Sequence, residues 1–443
     1  MCKVNHYIIF LFFLFVSNCS SAQWVNLGTG FNNPGRCMLL DTVTQEIIVG
    51  GNFDQAGTSS ANGIALWNGI NWSPIGLGAP YGAPVYSITK FQNSLFASSI
   101  FQNNPSYQNW LSKWNGSTWD TISPGLNGPV ACFKEYNGDL YLGGAFHYSP
   151  ICNANMIARF DGVTFHSFAF PATNYSVNAI EFFQGNMYIG GNFFDTIQQV
   201  NDLEVWDGTI FKPFGINGLA SGVDFVNSMA VYNDELYIGG WFTNMNGDPA
   251  NFIMKWDGQQ FHEVGGGLNG PVSKIKSYSD GLYVCGNFTL AGQLPAPGIV
   301  KWDGNQWISL CDTFQNYGIT DFVKVGGDLY ITGGIDSIGL IDMNYVAKLQ
   351  GSLSIYENNT EREFAFSIKL INCENNLELS ISELGSSPFI FQFQDISGRL
   401  LLNTIFQNTE SPYTIKLPNL TKGIYFVTLQ NNYRRRTKKL IKF

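Results

Sequence analysis

Four recurring aspartates and three scattered histidines are the side chains of this sequence that could do chemistry. The aspartates each stand directly before a glycine and are Asp161, Asp207, Asp257 and Asp303. Asp-Gly favours a tight turn, because the carboxylate accepts hydrogen bonds from nearby backbone amides and glycine tolerates positive φ. The histidines after the first 22 residues are His147, His166 and His262, and they lack the spacing of metal ligands. We therefore interpret the aspartates as turn residues and predict neither a metal site nor a cofactor.

Catalytic motifs with a local signature are absent from the sequence. It contains no Gly-x-Ser-x-Gly elbow, no Walker phosphate loop and no Ser-x-Asp-x-Gly-x-x-Trp box. A carboxylate pair for glycoside hydrolysis has no such signature, since its members come from distant parts of a chain. We predict a binding protein that is not an enzyme. A secreted carbohydrate-active enzyme with a dispersed carboxylate pair stays open as the alternative.

Tryptophan side chains are candidates for stacking on sugars, and the sequence has eleven. Nine occupy two recurring positions, which predicts packing inside a repeated structure. These nine are Trp24, Trp67, Trp72, Trp114, Trp119, Trp206, Trp256, Trp302 and Trp307. Trp110 and Trp241 fall outside the recurring positions, so they are better candidates for exposed stacking than the other nine. Packing in the core or in a loop is the favoured interpretation for each of them, because large apolar rings are usually buried.

A repeat with a period of 45 to 49 residues positions these side chains. A Gly-Gly pair recurs at residues 50–51, 143–144, 190–191, 239–240 and 333–334, with degenerate copies at 98–99 and 285–286. Each copy predicts four short strands, here called a to d, with tight a–b and c–d turns. A period in this range predicts a propeller or a solenoid.

The signatures of the four strands are out of phase along the chain. The d-strand aromatic first occurs at Trp24, before any a, b or c strand, and the last a–b–c set has no clear d strand after it. A ring of sheets must close, because open edges invite pairing with other chains. We predict an all-β fold in which residues 23–351 form a seven-bladed β-propeller of four-stranded blades, closed by the strand at Trp24. A strand at residues 353–356 is the alternative occupant of that edge.

The repeat phrase resembles the Kelch-like and Rax2-like propeller repeats, in which Gly-Gly-x-Phe precedes Ile-Ala-x-Trp-Asp-Gly-x-x-Trp. The Phe position is matched by Phe53, Phe146, Phe193, Phe242 and Phe288. Residues 98–99, a Ser-Ser pair, depart from the pattern. The resemblance implies a β-propeller and carries no catalytic residue.

The first 22 residues have the features of a secretory signal peptide. Lys3 precedes an apolar run at residues 8–16, and small residues follow at 20–22. The small residues mark a cleavage site, so the mature chain is predicted to start at Gln23. The apolar run is too short for a transmembrane anchor. A lipoprotein with a lipidated Cys19 is the alternative. The formal net charge of −9 does not suggest a nucleic-acid partner.

Composition changes after Gly351, where residues 352–363 read as a polar linker and residues 364–443 as a small Ig-like β-sandwich. Phrases in this segment resemble the C-terminal sorting domain of the type IX secretion system of Bacteroidota. The matching positions include Gly398, Arg399, Gly423, Tyr425, Lys439 and Lys442. An early Tyr-Pro-Asn-Pro motif of that family is not intact here. The resemblance implies the secretion machinery as a partner and an extracellular or outer cell-surface location.

The b–c and d–a loops vary most in length, whereas the a–b and c–d turns are short. Variable loops on a rigid scaffold usually carry recognition. We therefore predict that an extracellular glycan or protein ligand contacts the face formed by the b–c loops. The candidate residues are Tyr107, Trp110, His147, Tyr148, Tyr175 and Asp248.

Overall fold

The regular elements among the residues that the structure describes are β-strands, which confirms the prediction of an all-β fold. The structure, a computed structural model, describes residues 23–442 except for 80–82, 100–109, 123–124, 148–153, 199, 215–223, 246–247, 311–313, 316–317, 339–340, 351–364, 372–375, 383–388, 396–398, 407–412, 417–422 and 431–434. The chain divides into two compact units, Met1–Ser354 and Ile355–Phe443.

The described part of the first unit contains seven four-stranded antiparallel sheets. We number them in chain order and letter the strands a to d across each sheet. The strands are Gly35–Leu40, Ile47–Gly51, Ile64–Trp67 and Trp72–Pro74 in sheet 1; Ser87–Phe91, Ser94–Ser98, Leu111–Trp114 and Trp119–Thr121 in sheet 2; Val130–Tyr136, Asp139–Gly144, Ile157–Phe160 and Phe165–Ser167 in sheet 3; Ala172–Phe183, Asn186–Asp195, Val200–Trp206 and Phe211–Pro213 in sheet 4; Phe225–Tyr232, Glu235–Trp241, Ile253–Trp256 and Phe261–Glu263 in sheet 5; Val272–Tyr278, Gly281–Gly286, Ile299–Trp302 and Trp307–Ser309 in sheet 6; and Ile319–Val325, Asp328–Gly333, Val346–Gln350 and Gln23–Asn26 in sheet 7.

The a strands of successive sheets contact one another in a closed circuit, in which sheet 7 returns to sheet 1. Polar side chains reinforce these contacts. Ser87 Oγ donates to the Val130 carbonyl at 2.6 Å, and Asn227 Nδ2 donates to the Val272 carbonyl at 2.8 Å. Thr320 Oγ1 of sheet 7 donates to the carbonyl of Gly35 in sheet 1 at 2.8 Å. This arrangement is consistent with a β-propeller.

The strand predicted at Trp24 lies at the edge of sheet 7. Gln23–Asn26 pairs antiparallel with Val346–Gln350, and Trp24 stands opposite Leu349. Trp24 is buried in a cluster that includes Tyr283 of sheet 6. The N-terminal strand therefore completes a sheet whose other three strands come from the last repeat, whereas the alternative strand at 353–356 lies outside the described residues.

The Gly-Gly pair marks the place where strand b lies closest to its neighbours. A β-carbon on Gly239 would fall 2.8 Å from Val272 Cγ1 in the next sheet. One on Gly240 would overlap the carbonyl oxygen of Phe225 in the same sheet. Carbon atoms pack best at about 3.5–4.0 Å. The repeated glycines therefore allow close packing both between sheets and within a sheet.

The recurring tryptophans pack inside the first unit, as predicted. Trp67 and Trp72, from strands c and d of sheet 1, have ring centroids 5.1 Å apart. The indole Nε1 of Trp72 donates to the Leu27 carbonyl at 2.9 Å, and Trp119 and Trp307 donate similarly to the loops preceding their sheets. These rings therefore join neighbouring sheets rather than face a ligand.

The second unit contains two sheets among its described residues. Strands Ala365–Ile371, Asn376–Ser382 and Tyr413–Lys416 form one; Leu400–Phe406, Phe389–Asp395, Gly423–Gln430 and Arg435–Lys442 form the other. Phe391 and Phe393 are buried, and Phe393 stacks on Tyr425 with ring centroids 5.3 Å apart.

Candidate binding face

The c–d turns are closed by their own hydrogen bonds. Asp257 Oδ1 accepts the backbone N–H groups of Gln259 and Gln260 at 2.7 and 2.8 Å. Asp161, Asp207 and Asp303 accept two backbone N–H groups in the same way, so the predicted turn role is confirmed. His262 Nε2 lies 2.8 Å from Asp257 Oδ2, and this hydrogen bond is the main reason that the pKa of Asp257 falls to about 2.

The b–c connections of four sheets share one compact shape. Each forms a hairpin of two-residue strands: Gln55–Ala56 with Ser59–Ser60, Asn244–Met245 with Asp248–Pro249, Leu290–Ala291 with Leu294–Pro295, and Ser337–Ile338 with Ile341–Asp342. In sheet 7 this hairpin also pairs with Phe314–Gln315. The predicted candidate Asp248 belongs to the hairpin of sheet 5. These connections are therefore more regular than their sequences indicated.

His147 is fixed by an asparagine clamp at the start of its b–c connection. Its backbone N–H donates to Asn127 Oδ1 at 3.0 Å, and its Nδ1 lies 3.1 Å from Asn155 Oδ1. Asn32 holds Asp54 and Asn269 holds Thr289 at the same point of their sheets. The clamp gives His147 a structural role that does not depend on a ligand.

The other predicted candidates lie apart. Tyr175 has positive φ and is 69% exposed at an irregularity of strand a in sheet 4. Tyr107 and Tyr148 lie outside the described residues. Within the described part of the chain, no hydrogen bond or ring contact joins Trp110, His147 and Tyr175 to one another.

Trp110 belongs to a cluster that sequence reasoning missed, which we call the Arg36 cluster: Arg36, Asn52, Tyr86 and Trp110. Arg36 Nε donates to Asn52 Oδ1 at 2.6 Å. The guanidinium carbon lies 5.2 Å from the centroid of the Tyr86 ring. Tyr86 meets Trp110 edge to face at 5.8 Å. Arg36 and Asn52 are exposed, whereas the two rings are half-buried.

The ends of strands place the Arg36 cluster on the b–c side of sheets 1 and 2. Arg36 is the bulged residue of strand a, and Asn52 directly follows strand b. Tyr86 directly precedes strand a of sheet 2, and Trp110 directly precedes its strand c. The same bulge position holds Ala131, Asn178, Asn227, Ser273 and Thr320 in other sheets. An arginine among small residues is the sequence signal that would have identified this cluster.

A second aromatic pair lies on the same side of sheet 5. Phe225 and Trp241 are opposite each other in the register of strands a and b, and their ring centroids are 6.1 Å apart. Trp241 is 48% exposed, so of the two roles left open for it, exposed stacking and packing in the core or a loop, the structure favours the exposed one. Aromatic side chains that are half-buried or exposed thus occur at the b–c ends of strands in two separate places.

Sheet 4 contains a buried carboxyl pair, Asp195 and Glu204. Both side chains are fully buried. Burial, together with the hydrogen bond and the charge of Asp195, raises the pKa of Glu204 to about 9. Glycoside hydrolysis uses carboxyl groups separated by about 5 to 9.5 Å around a bound sugar. Because both side chains are fully buried, a sugar cannot reach them, and the pair does not provide that geometry.

The predicted sorting residues lie on the four-stranded sheet of the second unit. Arg399 Nε is 3.2 Å from Asp395 Oδ2, and Arg399 N–H donates to Asp395 Oδ1 at 3.0 Å. Tyr425 is buried. The backbone pairs Gly423 with Lys442 and Phe426 with Lys439. Gly398 lies outside the described residues.

Residues 366–443 match the family model of the secretion system C-terminal sorting domain. This domain supports secretion by the type IX system and implies export to the cell surface or the extracellular space. Comparison with curated proteins gives no match. In the part of the chain that the structure describes, no helix is long and apolar enough to cross a membrane. The same residues contain no group of three or more His, Cys, Asp or Glu side chains placed to hold a metal ion.

Proposed function

We propose that the protein is a secreted or cell-surface binding protein without enzymatic activity. Residues 23–351 form a seven-bladed Kelch-like or Rax2-like propeller closed by the strand at Trp24, and the C-terminal domain is an Ig-like sandwich. The closed circuit of a-strand contacts and the pairing of Gln23–Asn26 with Val346–Gln350 support the ring. The match of residues 366–443 supports export.

The observation that carries the binding role is the contrast between the two ends of the sheets. At the c–d turns, polar groups such as the Asp257 carboxylate already accept hydrogen bonds from backbone N–H groups of the same turn. At the b–c end, the Arg36 cluster and Trp241 present exposed polar and aromatic groups. Tryptophan, tyrosine and arginine are the side chains most enriched where binding energy concentrates. The ligand therefore contacts the b–c face.

A glycan array probed with the secreted chain tests this function. W241A and Y175A on the b–c face should weaken binding, whereas H262A on the c–d face should leave it unchanged. Loss of binding from H262A alone would place the ligand on the other face, and a blank array would remove the support for a glycan ligand. Turnover of a polysaccharide that stops after one Asp or Glu substitution would establish the enzymatic alternative.

A further inference from the structure

The charge of Arg36 has no acidic partner among the described residues. Nine basic side chains of the first unit lie within 4.0 Å of a carboxylate, including the other arginine, Arg159, whose Nη1 is 3.0 Å from Asp139 Oδ2. Arg36 is exposed, and its described contacts are the Nε hydrogen bond to Asn52 and the ring of Tyr86. An exposed cation that is held in place without a counter-charge is suited to an anionic ligand.

The contacts of Arg36 fix its guanidinium plane while leaving its far edge available. The Nε–H group of the guanidinium is used by the hydrogen bond to Asn52, and the Tyr86 ring contacts one face of the guanidinium plane. The two terminal nitrogens, Nη1 and Nη2, have no acceptor in the described part of the chain. A planar pair of N–H donors matches the two oxygens of a carboxylate, and pre-ordering the side chain reduces the entropy lost on binding.

The residues around Arg36 indicate which kind of ligand brings a carboxylate to its guanidinium group. Trp110 provides a half-buried ring that packs edge to face on Tyr86, the ring that contacts Arg36. Asn52 provides an exposed amide whose oxygen already binds Arg36. Aromatic rings stack on apolar faces of other rings, and amide N–H groups donate to hydroxyls. A stable protein interface buries about 800 Å² on each partner and has an apolar core, which four partly polar side chains do not provide.

We propose that Arg36, Asn52 and Trp110 form a subsite for a uronic acid residue of an acidic polysaccharide. The fork binds the sugar carboxylate, Trp110 contacts the pyranose ring, and the Asn52 amide donates to a hydroxyl. The net charge of −9 disfavours dense polyanions such as nucleic acids. A polysaccharide with one carboxylate on each sugar ring is less disfavoured than a nucleic acid and can bind the local positive charge of Arg36. The subsite rests on the proposed function, since it lies on the proposed b–c face.

Calorimetry of the full secreted chain with oligogalacturonate and alginate oligosaccharides tests the subsite. The matched probe is the same oligosaccharide after carboxyl reduction, which keeps the rings and removes the charge. The wild type should bind at least one uronate series about tenfold or more tightly than its reduced form, because charge-assisted hydrogen bonds are lost on reduction. R36Q should abolish this preference, and R36K should lose most of it because an ammonium lacks the planar fork.

R159Q is the control, since it removes the other arginine of the first unit, which already has an acidic partner. It should bind as the wild type does, and thermal melting should show that R36Q remains folded. Equal affinity for charged and reduced oligosaccharides, or wild-type binding by R36Q, would overturn the subsite. The proposed function would survive that result if W241A still weakened binding to another glycan, whereas loss of every ligand would remove both.

Discussion

Gly240 shows what a side chain would meet at the second glycine of the repeat phrase in sheet 5. A β-carbon there would overlap the Phe225 carbonyl oxygen and lie 2.9 Å from Val226 Cα, and neither backbone atom can rotate away. G240A should lower the free energy of unfolding by about 1–3 kcal/mol or more, as overpacking does. Urea denaturation measures the change.

The control is Gly327, where a β-carbon would meet nothing within 4 Å. G327A should change the free energy of unfolding by about 0.5 kcal/mol or less. Equal losses in the two variants would show that the close approach at Gly240 has no special cost.

Glu204 makes the stability of sheet 4 depend on pH. Its pKa is about 9 in the folded protein, and its ordinary value is 4.5. Between these values the unfolded chain releases the proton and the folded chain keeps it, so the stabilisation present below pH 4.5 is lost as the pH rises towards 9. The free energy of unfolding should fall by up to about 1.4 kcal/mol per pH unit from this group.

E204Q cannot titrate, so its free energy of unfolding should fall less than that of the wild type between about pH 6 and about pH 8.5. Urea denaturation at both pH values gives the two slopes. Asp202, whose pKa burial raises to about 7, contributes to both proteins and leaves a residual slope. Parallel slopes would show that the Glu204 proton is not retained on folding.

At the scale of residues, the sequence predicted those roles that depend on near neighbours. The turn role of Asp257 follows from the glycine beside it, and its bonds reach only two and three residues ahead. The Arg36 cluster joins side chains from two repeats, and the Asp195–Glu204 pair depends on sheet register. Glu204 occupies a position that holds Ala65, Met254 and Val300 in other sheets. The repeat pattern therefore could not predict that Glu204 lies beside Asp195.

At the scale of elements, the strand at Trp24 provides the sharpest test. Trp24 is 5% exposed and packs against sheet 6 as well as its own sheet. W24A should lower the free energy of unfolding by about 3–5 kcal/mol, since a large buried ring is lost. Chemical denaturation should show a much smaller change for W241A, because Trp241 is 48% exposed. Equal stability of W24A and the wild type would contradict a role for this strand in sheet 7.

Strand length decides whether an alternating hydrophobic pattern can predict a strand. The apolar residues of Phe389–Asp395 alternate with polar ones, as expected of a strand with one buried face, and Phe391 and Phe393 are buried there. The small hairpins of the b–c connections were not predicted. Strands of two residues are too short for any periodicity, and backbone clamps such as the one at Asn269 hold them in place.

At the scale of the whole molecule, we expect export to depend on the C-terminal domain, which matches the sorting-domain family. A chain lacking residues 364–443 should fold its repeat region but remain inside the outer membrane, because the segment that matches the sorting domain is missing. Fractionation and surface protease treatment of cells that express the full and shortened chains measure the difference. Surface exposure of the shortened chain would contradict the proposed export route.

The edge position of Gln23–Asn26 also has a consequence for timing. Sheets 1 to 6 are each built from strands that follow one another in the chain, so each can form as soon as its own repeat is available. Sheet 7 cannot be completed until the last repeat is available, because its outer strand comes from the beginning of the repeat region and its other strands come from the end. Pairing between such distant segments is slow, and until it occurs both segments expose edges that other chains can capture. The first strand of the repeat region is thus the last to be secured, and sheet 7 stays incomplete until the final repeat has arrived.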